Sequence, residues 1–72
     1  MTRASAIGDE RRLGGYALAG VQVVPALSDA EVAAAWDGLA EDVALLVLTQ
    51  ESREALGARL EERPELVWVV VP

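Results

Sequence analysis

The sequence predicts an α/β fold in which three helices connect the four strands of a small parallel sheet. Four short apolar runs, at residues 4–7, 21–26, 43–48 and 66–71, alternate with three longer amphipathic stretches. The runs are continuous rather than alternating, which is typical of strands buried on both faces of a sheet. The stretches between them are long enough for helical crossovers, and this order of elements favours parallel strands.

The first helix is predicted over residues 10–19, directly after the first strand. Asp9 is a suitable N-cap residue, and Gly20 is able to take the left-handed conformation that ends a helix. Gly14 and Gly15 each weaken the helix by about 1 kcal/mol relative to alanine. The apolar positions at helical spacing are Leu13, Tyr16 and Ala17.

The second helix carries the clearest signals of the three. Ser28-Asp29-Ala30-Glu31 is a capping box, whose serine and glutamate side chains satisfy backbone N–H groups at the start of a helix. Glu41-Asp42 closes the helix before the third strand. One face carries Val32, Ala35, Trp36 and Leu39, so we expect Trp36 in the core.

The third helix is predicted between the third and fourth strands. It starts near Glu51 or Ser52, and its apolar face, around Leu56 and Leu60, is narrower than that of the second helix. Pro64 stops it, because the residue before a proline is disfavoured in the helical conformation.

The handedness of the connections predicts an open face on the sheet. In the flavodoxin-like strand order 2-1-3-4, right-handed crossovers place the first helix on one face and the other two helices on the opposite face. The third and fourth strands are then covered on one face only, although both are apolar throughout. The sequence ends at Pro72, so we expect another chain or a further C-terminal segment on the open face. Trp68 faces either that side or the helices.

The composition supports one small domain with apolar surface to spare. Hydrophobic residues make up 53% of the 72 residues although the formal charge is −6, which excludes a disordered acidic tail. There is no cysteine or histidine, so neither a disulfide nor a structural zinc site is available to stabilise so short a chain. Residues 1–72 are therefore predicted to form a single α/β domain that leaves a surface for a partner.

The missing residue types exclude most kinds of catalysis. Without histidine, cysteine or lysine the chain lacks a neutral-pH general base, a thiol nucleophile and a Schiff-base amine, and we predict no catalytic, cofactor-binding or metal-binding residue. A pI near 4.3, with arginines interleaved among acids, disfavours nucleic-acid binding. No apolar run approaches the ~20 residues that span a bilayer, so the protein is expected to be soluble or peripheral to a membrane.

Gly8-Asp9-Glu10 lies where the first strand ends, the edge at which α/β sheets bind ligands. A receiver domain would hold a metal and a phosphoryl group there. It would also need an aspartate after the third strand, where this sequence has Thr49-Gln50, and a lysine, which is absent. The glycine spacing fits neither a dinucleotide fingerprint nor a phosphate-binding loop. A helix cap at a tight turn is the favoured interpretation.

Four segments, in order, resemble the F subunit of the V/A-type ATPase. Ala6-Ile7-Gly8-Asp9-Glu10, followed by residues 15–21, is similar to the family's N-terminal signature, with Tyr16 in place of the usual Phe and Ala17 in place of a frequent Arg. Residues 46–49 and 64–72 resemble its third strand and its closing strand. The resemblance covers essentially the whole chain. Family members continue past the final proline into a C-terminal helix, a segment that this sequence lacks.

The resemblance implies a Rossmann-like, non-catalytic subunit in the central stalk of a proton- or sodium-translocating ATPase or ATP synthase. It implies contact with the coiled-coil D subunit of the rotor and with the socket-like subunit above the membrane ring, at a cytoplasmic site peripheral to the membrane. A receiver-like domain, or another small α/β regulatory or interaction domain, is the alternative. The residues expected to carry the contact are Tyr16, Leu18 and Ala19 of the signature, and Trp68 and Val70 of the fourth strand.

Overall fold

Strands and helices alternate along the chain, as the apolar pattern predicts. The computed structural model describes residues 3–17 and 20–71. Its elements are β1 (Arg3–Gly8), α1 (Glu10–Ala17), β2 (Gln22–Pro25), α2 (Asp29–Asp37), β3 (Val43–Leu48), α3 (Gln50–Leu56), a 3₁₀ helix (Gly57–Glu62) and β4 (Val67–Val70). All neighbouring strands pair in parallel, in the order β2-β1-β3-β4. The predicted α/β class and strand order are confirmed.

The larger hydrophobic cluster lies between the sheet and the α2–α3 layer. Trp36 of α2 is buried in it, as its place on the apolar stripe predicts, and its Nε1–H donates to Glu62 Oε1 at 3.3 Å. That hydrogen bond satisfies the polar end of the indole at the rim of the core. The buried members of the cluster are Ile7, Ala26, Val32, Trp36, Val43, Leu46, Leu48, Leu56, Leu60 and Leu66.

A smaller cluster lies on the other face of the sheet, beneath α1. Leu13 of α1 is fully buried there against Ala6, Val47 and Val71. Because successive side chains of a strand point to opposite faces, Ala6 and its neighbour Ile7 belong to different clusters. The helices therefore occupy the two faces as right-handed crossovers require.

The predicted caps of α1 and α2 are present. Asp9 Oδ1 accepts a hydrogen bond from the Arg11 N–H at 2.9 Å. Ser28 Oγ accepts one from the Glu31 N–H at 3.1 Å, and Glu31 Oε1 in turn accepts from the Leu27 N–H at 2.7 Å. The glutamate thus reaches one residue further back than in the usual capping box.

The predicted ends of α2 and α3 were wrong. α2 ends at Asp37, because Gly38 leaves the helical conformation, with φ −89° and ψ 0°, and the Leu39 N–H then bonds to the Trp36 carbonyl three residues back. The third helix begins at Gln50, with Thr49 Oγ1 accepting from the Ser52 N–H at 3.2 Å. It does not continue to Pro64: Gly57 takes φ +51°, and a 3₁₀ helix follows.

Candidate protein-contact surface

The α1 side of the sheet is covered only in part. α1 packs against β1 and β2, and Leu13 covers the middle of the sheet. Beyond it, on β4, the side chains of Val67 and Val69 are 61% and 47% exposed. Large aliphatic side chains at such exposure leave apolar surface in water, which monomeric proteins keep small.

The strand register joins these valines into one apolar surface. Val67 is level with Leu45 of β3, which is level with Ala4 of β1, and both Leu45 and Ala4 are half-buried. We call the surface formed by Ala4, Leu45, Val67 and Val69 the open face. The predicted lack of cover on this side is therefore confirmed for β4 at Val67 and Val69, whereas β3 is covered in part, because Val47 is buried beneath α1.

Trp68 points the other way, toward the helices. It is level with Leu46 and packs against the larger cluster, and the Arg53 guanidinium carbon lies 5.6 Å from its ring centroid, a cation–π contact. Val70, two residues on and level with Leu48, shares that side. The two predicted contact residues of β4 thus face the helices, whereas Val67 and Val69, which the sequence did not single out, face outward.

The predicted contact residues do not form one patch. Tyr16, 37% exposed, lies on α1, which packs against β1 and β2. Trp68 and Val70 lie on β4 at the opposite edge of the sheet. Leu18 and Ala19 lie outside the described residues. The sequence does contain a signal that Val67 and Val69 belong together. Side chains two residues apart in a strand share a face, so these two valines lie on one face whichever way Trp68 points.

A groove of about 650 Å³ lies beside β4, along α3 and the 3₁₀ helix; we call it the β4 groove. Its apolar lining includes Leu60, Leu66 and Trp68. Two acidic and two basic side chains also line it, namely Glu54, Glu61, Arg53 and Arg63. The groove therefore offers apolar contact within a lining whose formal charges balance.

The carboxyl edge of the sheet, where an α/β ligand site would lie, is filled by the protein itself. Thr49 and Ser52 are buried there, and Thr49 Oγ1 donates to Ser52 Oγ at 3.0 Å. Gly8 packs so closely on Thr49 that an added Cβ would lie 2.6 Å from its methyl carbon. An ion pair of 2.9 Å between Arg12 and Glu51 joins α1 to α3 across this edge. The remaining cavity is about 130 Å³.

Comparison with known proteins connects this geometry to a family. A family model described as the ATP synthase (F/14-kDa) subunit matches residues 5–72. The chain belongs to this family. The crystal structure of the F subunit of the V-type ATP synthase from Archaeoglobus fulgidus shows the same fold at 24% identity, with a TM-score of 0.80 and coverage of 99% of this chain and 98% of that chain. Among curated proteins no match is found.

Membership of the ATP synthase F subunit family confirms the resemblance carried by the four segments. The first segment has a plain structural role in this member. Ala6 and Ile7 fill the two clusters, Gly8 allows the close approach to Thr49, and Asp9 caps α1. The signature therefore encodes the packing of the strand-to-helix turn.

Several arginines of this F subunit family member are held on the protein's own surface. Arg3 pairs with Asp42 at 3.2 Å, and Arg59 pairs with Asp37. Such exposed pairs contribute only about 0–1 kcal/mol each to stability. Within residues 3–17 and 20–71, no group of three or more acidic, histidine or cysteine side chains is arranged to hold a metal ion. The helices of the same ranges all fall short of the length and apolar character that crossing a membrane requires.

Proposed function

We propose that this chain is a non-catalytic subunit of the central stalk of a V-type proton- or sodium-translocating ATP synthase or ATPase. Its family membership, and the fold it shares with the F subunit of a V-type ATP synthase, support the assignment to such a complex. The observation that carries the mechanical role is the open face, where Val67 and Val69 of a regular strand lie in solvent. A subunit that works by docking needs such a surface rather than a reaction site.

The filled carboxyl edge supports the non-catalytic role. A receiver-like domain would need a carboxylate where Thr49 stands, and the Thr49 hydroxyl is already engaged with Ser52 and with the start of α3. The Arg12–Glu51 pair lies over the same edge. Side-chain caps and an ion pair join α1 and α3 at this edge of the sheet, which suits a subunit that transmits force.

We place the contact with the coiled-coil D subunit of the rotor on the open face. Val67 and Val69 form its exposed part, and this choice replaces Trp68 and Val70, which face the helices. Tyr16 on α1 is a second contact point, directed at the rotor axis or at the socket-like subunit above the membrane ring. The chain then works on the cytoplasmic side, peripheral to the membrane, as part of the complex.

Co-expression with a tagged D subunit of the same organism tests this function. We expect a complex that survives gel filtration at micromolar concentration. Val67→Asp should weaken it at least about tenfold, because burying an uncompensated carboxylate in an apolar contact is costly.

Leu27→Asp is the matched control, since it introduces the same charge at a side chain that is 78% exposed on another part of the surface. Circular dichroism checks that both variants keep the fold. Absence of a complex with the unaltered chain, or equal loss in both variants, contradicts the proposal.

A further inference from the structure

The last turn of α2 receives little stabilisation from the helix itself. α2 ends in Asp37, and its last turn carries no basic side chain. A carboxylate at this end lies at the negative pole of the helix dipole, where a cation would be stabilising. Gly38, which follows, has φ −89° rather than the left-handed conformation of the common glycine cap. The end of the helix therefore frays readily unless other elements hold it.

Two arginines that follow α3 in the chain hold this end of α2. Arg59 of the 3₁₀ helix pairs with the Asp37 carboxylate, and Arg63 donates to the Ala40 carbonyl at 3.0 Å. The side chains of the Arg59–Asp37 pair are 36% and 64% exposed. Because exposed ion pairs contribute little stability, the free energy that opposes opening of this contact is small.

Asp37 and Gly38 together form the single Asp-Gly sequence of a chain that contains no asparagine. Before glycine, an aspartyl side chain is most easily attacked by the backbone nitrogen that follows it, because glycine has no Cβ to shield that nitrogen. In the folded chain the Gly38 N–H donates to the Ala34 carbonyl at 3.1 Å, and Arg59 holds the Asp37 carboxylate. Both reacting groups are engaged there, and both become available when the last turn opens.

We propose that Asp37-Gly38 is a site of succinimide formation and isoaspartate modification, controlled by the contact with Arg59. When the turn opens, the Gly38 nitrogen forms a bond to Cγ of Asp37. The nitrogen loses its proton and the carboxyl group, protonated by solvent, loses its hydroxyl, so that one water molecule leaves. A second water molecule then opens the ring. Attack at Cγ restores aspartate, and attack at the backbone carbonyl carbon gives isoaspartate.

The product changes the link between α2 and β3. Isoaspartate adds one backbone carbon between the Asp37 Cα and the Gly38 nitrogen. The next two residues, Leu39 and Ala40, pack against the larger cluster, so the added length falls beside the core. This chemistry needs only water and the chain itself, and it is independent of the ATPase assignment.

Peptide mapping of the aged protein tests the site. The folded chain is incubated at neutral pH below its melting temperature and digested, and electron-transfer fragmentation in the mass spectrometer distinguishes isoaspartate from aspartate. We expect isoaspartate to form at Asp37 at least about tenfold faster than at Asp9, Asp29 and Asp42, whose following residues are larger. The chain unfolded in urea should react at Asp37 at least about tenfold faster than the folded chain, because nothing then engages the two groups.

Matched variants test the control by Arg59. Arg59→Gln should raise the rate in the folded chain about two- to fivefold, since it removes an exposed pair. Arg11→Gln removes the exposed pair with Asp9 instead, and should leave the rate at Asp37 unchanged. Circular dichroism checks that both variants keep the fold.

Gly38→Ala tests the attacking nitrogen. A Cβ at Gly38 would have its closest contact at 3.5 Å, with the Ala34 carbonyl oxygen, so alanine fits the fold. The rate at Asp37 should fall at least about tenfold, because the methyl group hinders approach of the nitrogen to Cγ.

Four outcomes overturn the proposal. These are absence of isoaspartate at Asp37 in the folded chain, equal rates in the folded and the urea-unfolded chain, or equal rates in Arg59→Gln and Arg11→Gln. An undiminished rate in Gly38→Ala is the fourth, because the reaction then does not depend on access to the Gly38 nitrogen.

Discussion

At Gly8, β1 comes so close to Thr49 that no other side chain fits. A Cβ there would lie 2.6 Å from the Thr49 methyl carbon and 2.7 Å from its hydroxyl, and the backbone has φ +152°. Thr49 is unable to give way freely, because its hydroxyl caps α3. We expect Gly8→Ala to lower the free energy of unfolding by about 1–3 kcal/mol, measured by urea denaturation.

Gly14→Ala is the control for that substitution. Nothing lies within 4 Å of a Cβ at Gly14, which is in the interior of α1. Alanine is the better helix former, so this variant should be stabilised by about 0.5–1 kcal/mol. If both variants had the stability of the unaltered chain, neither the close approach at Gly8 nor the helical role of Gly14 would hold.

The direction of Trp68 shows what the sequence was unable to decide at this scale. All four residues of β4 are apolar, so periodicity gives no preference for either face. The choice follows from tertiary packing, because Trp68 fills the space beside the larger cluster and meets the Arg53 guanidinium. Predicting the outward pair requires knowing which side of β4 the helices leave open.

Among the elements, α2 depends on its cap. Ser28 Oγ accepts from the Glu31 N–H at 3.1 Å, and α2 supplies Val32 and Trp36 to the larger cluster. Loss of the cap frees a backbone donor at the start of a helix of only 9 residues. Ser28→Ala should therefore cost about 1 kcal/mol of unfolding free energy, read from the midpoint of chemical denaturation at unchanged slope.

Ser28→Asp keeps a side-chain acceptor at the same position and adds negative charge at the positive end of the helix dipole. Its stability should equal or exceed that of the unaltered chain. A loss as large as that of Ser28→Ala would mean that the hydroxyl acts through something other than capping.

The sequence predicts these elements well where the signal is local. The caps at Asp9 and Ser28 follow from short motifs, and the strands follow from continuous apolar runs. The end of α3 before Gly57 was not predicted, because the residues next to Gly57 carry no signal that separates a helix interior from a turn. Gly57 has a positive φ at the point where the chain turns from α3 into the 3₁₀ helix that leads back to β4.

For the whole molecule, chirality made the open face predictable from the order of the elements. Right-handed connections through the order 2-1-3-4 leave one side of β3 and β4 without a helix, and the structure has exposed valines there. The partner that would cover the open face does not follow from the order of the elements. Its identity depends on groups outside this chain, so the contact residues stay a prediction whereas the fold is confirmed.

Because the open face leaves apolar side chains in water, we expect the isolated chain to have a limited free energy of unfolding. A domain of this size buries little apolar surface, and exposed Val67 and Val69 add little to the core. We expect a cooperative thermal transition with a Tm no higher than about 65 °C, followed by circular dichroism on a verified monomer.

Val67→Thr with Val69→Thr should leave that Tm nearly unchanged, because neither side chain is buried. Leu13→Ala should remove most of the transition, since truncating a buried leucine costs about 2–5 kcal/mol. A monomer that melts well above this temperature would show that the sheet is stable without a partner on its open face.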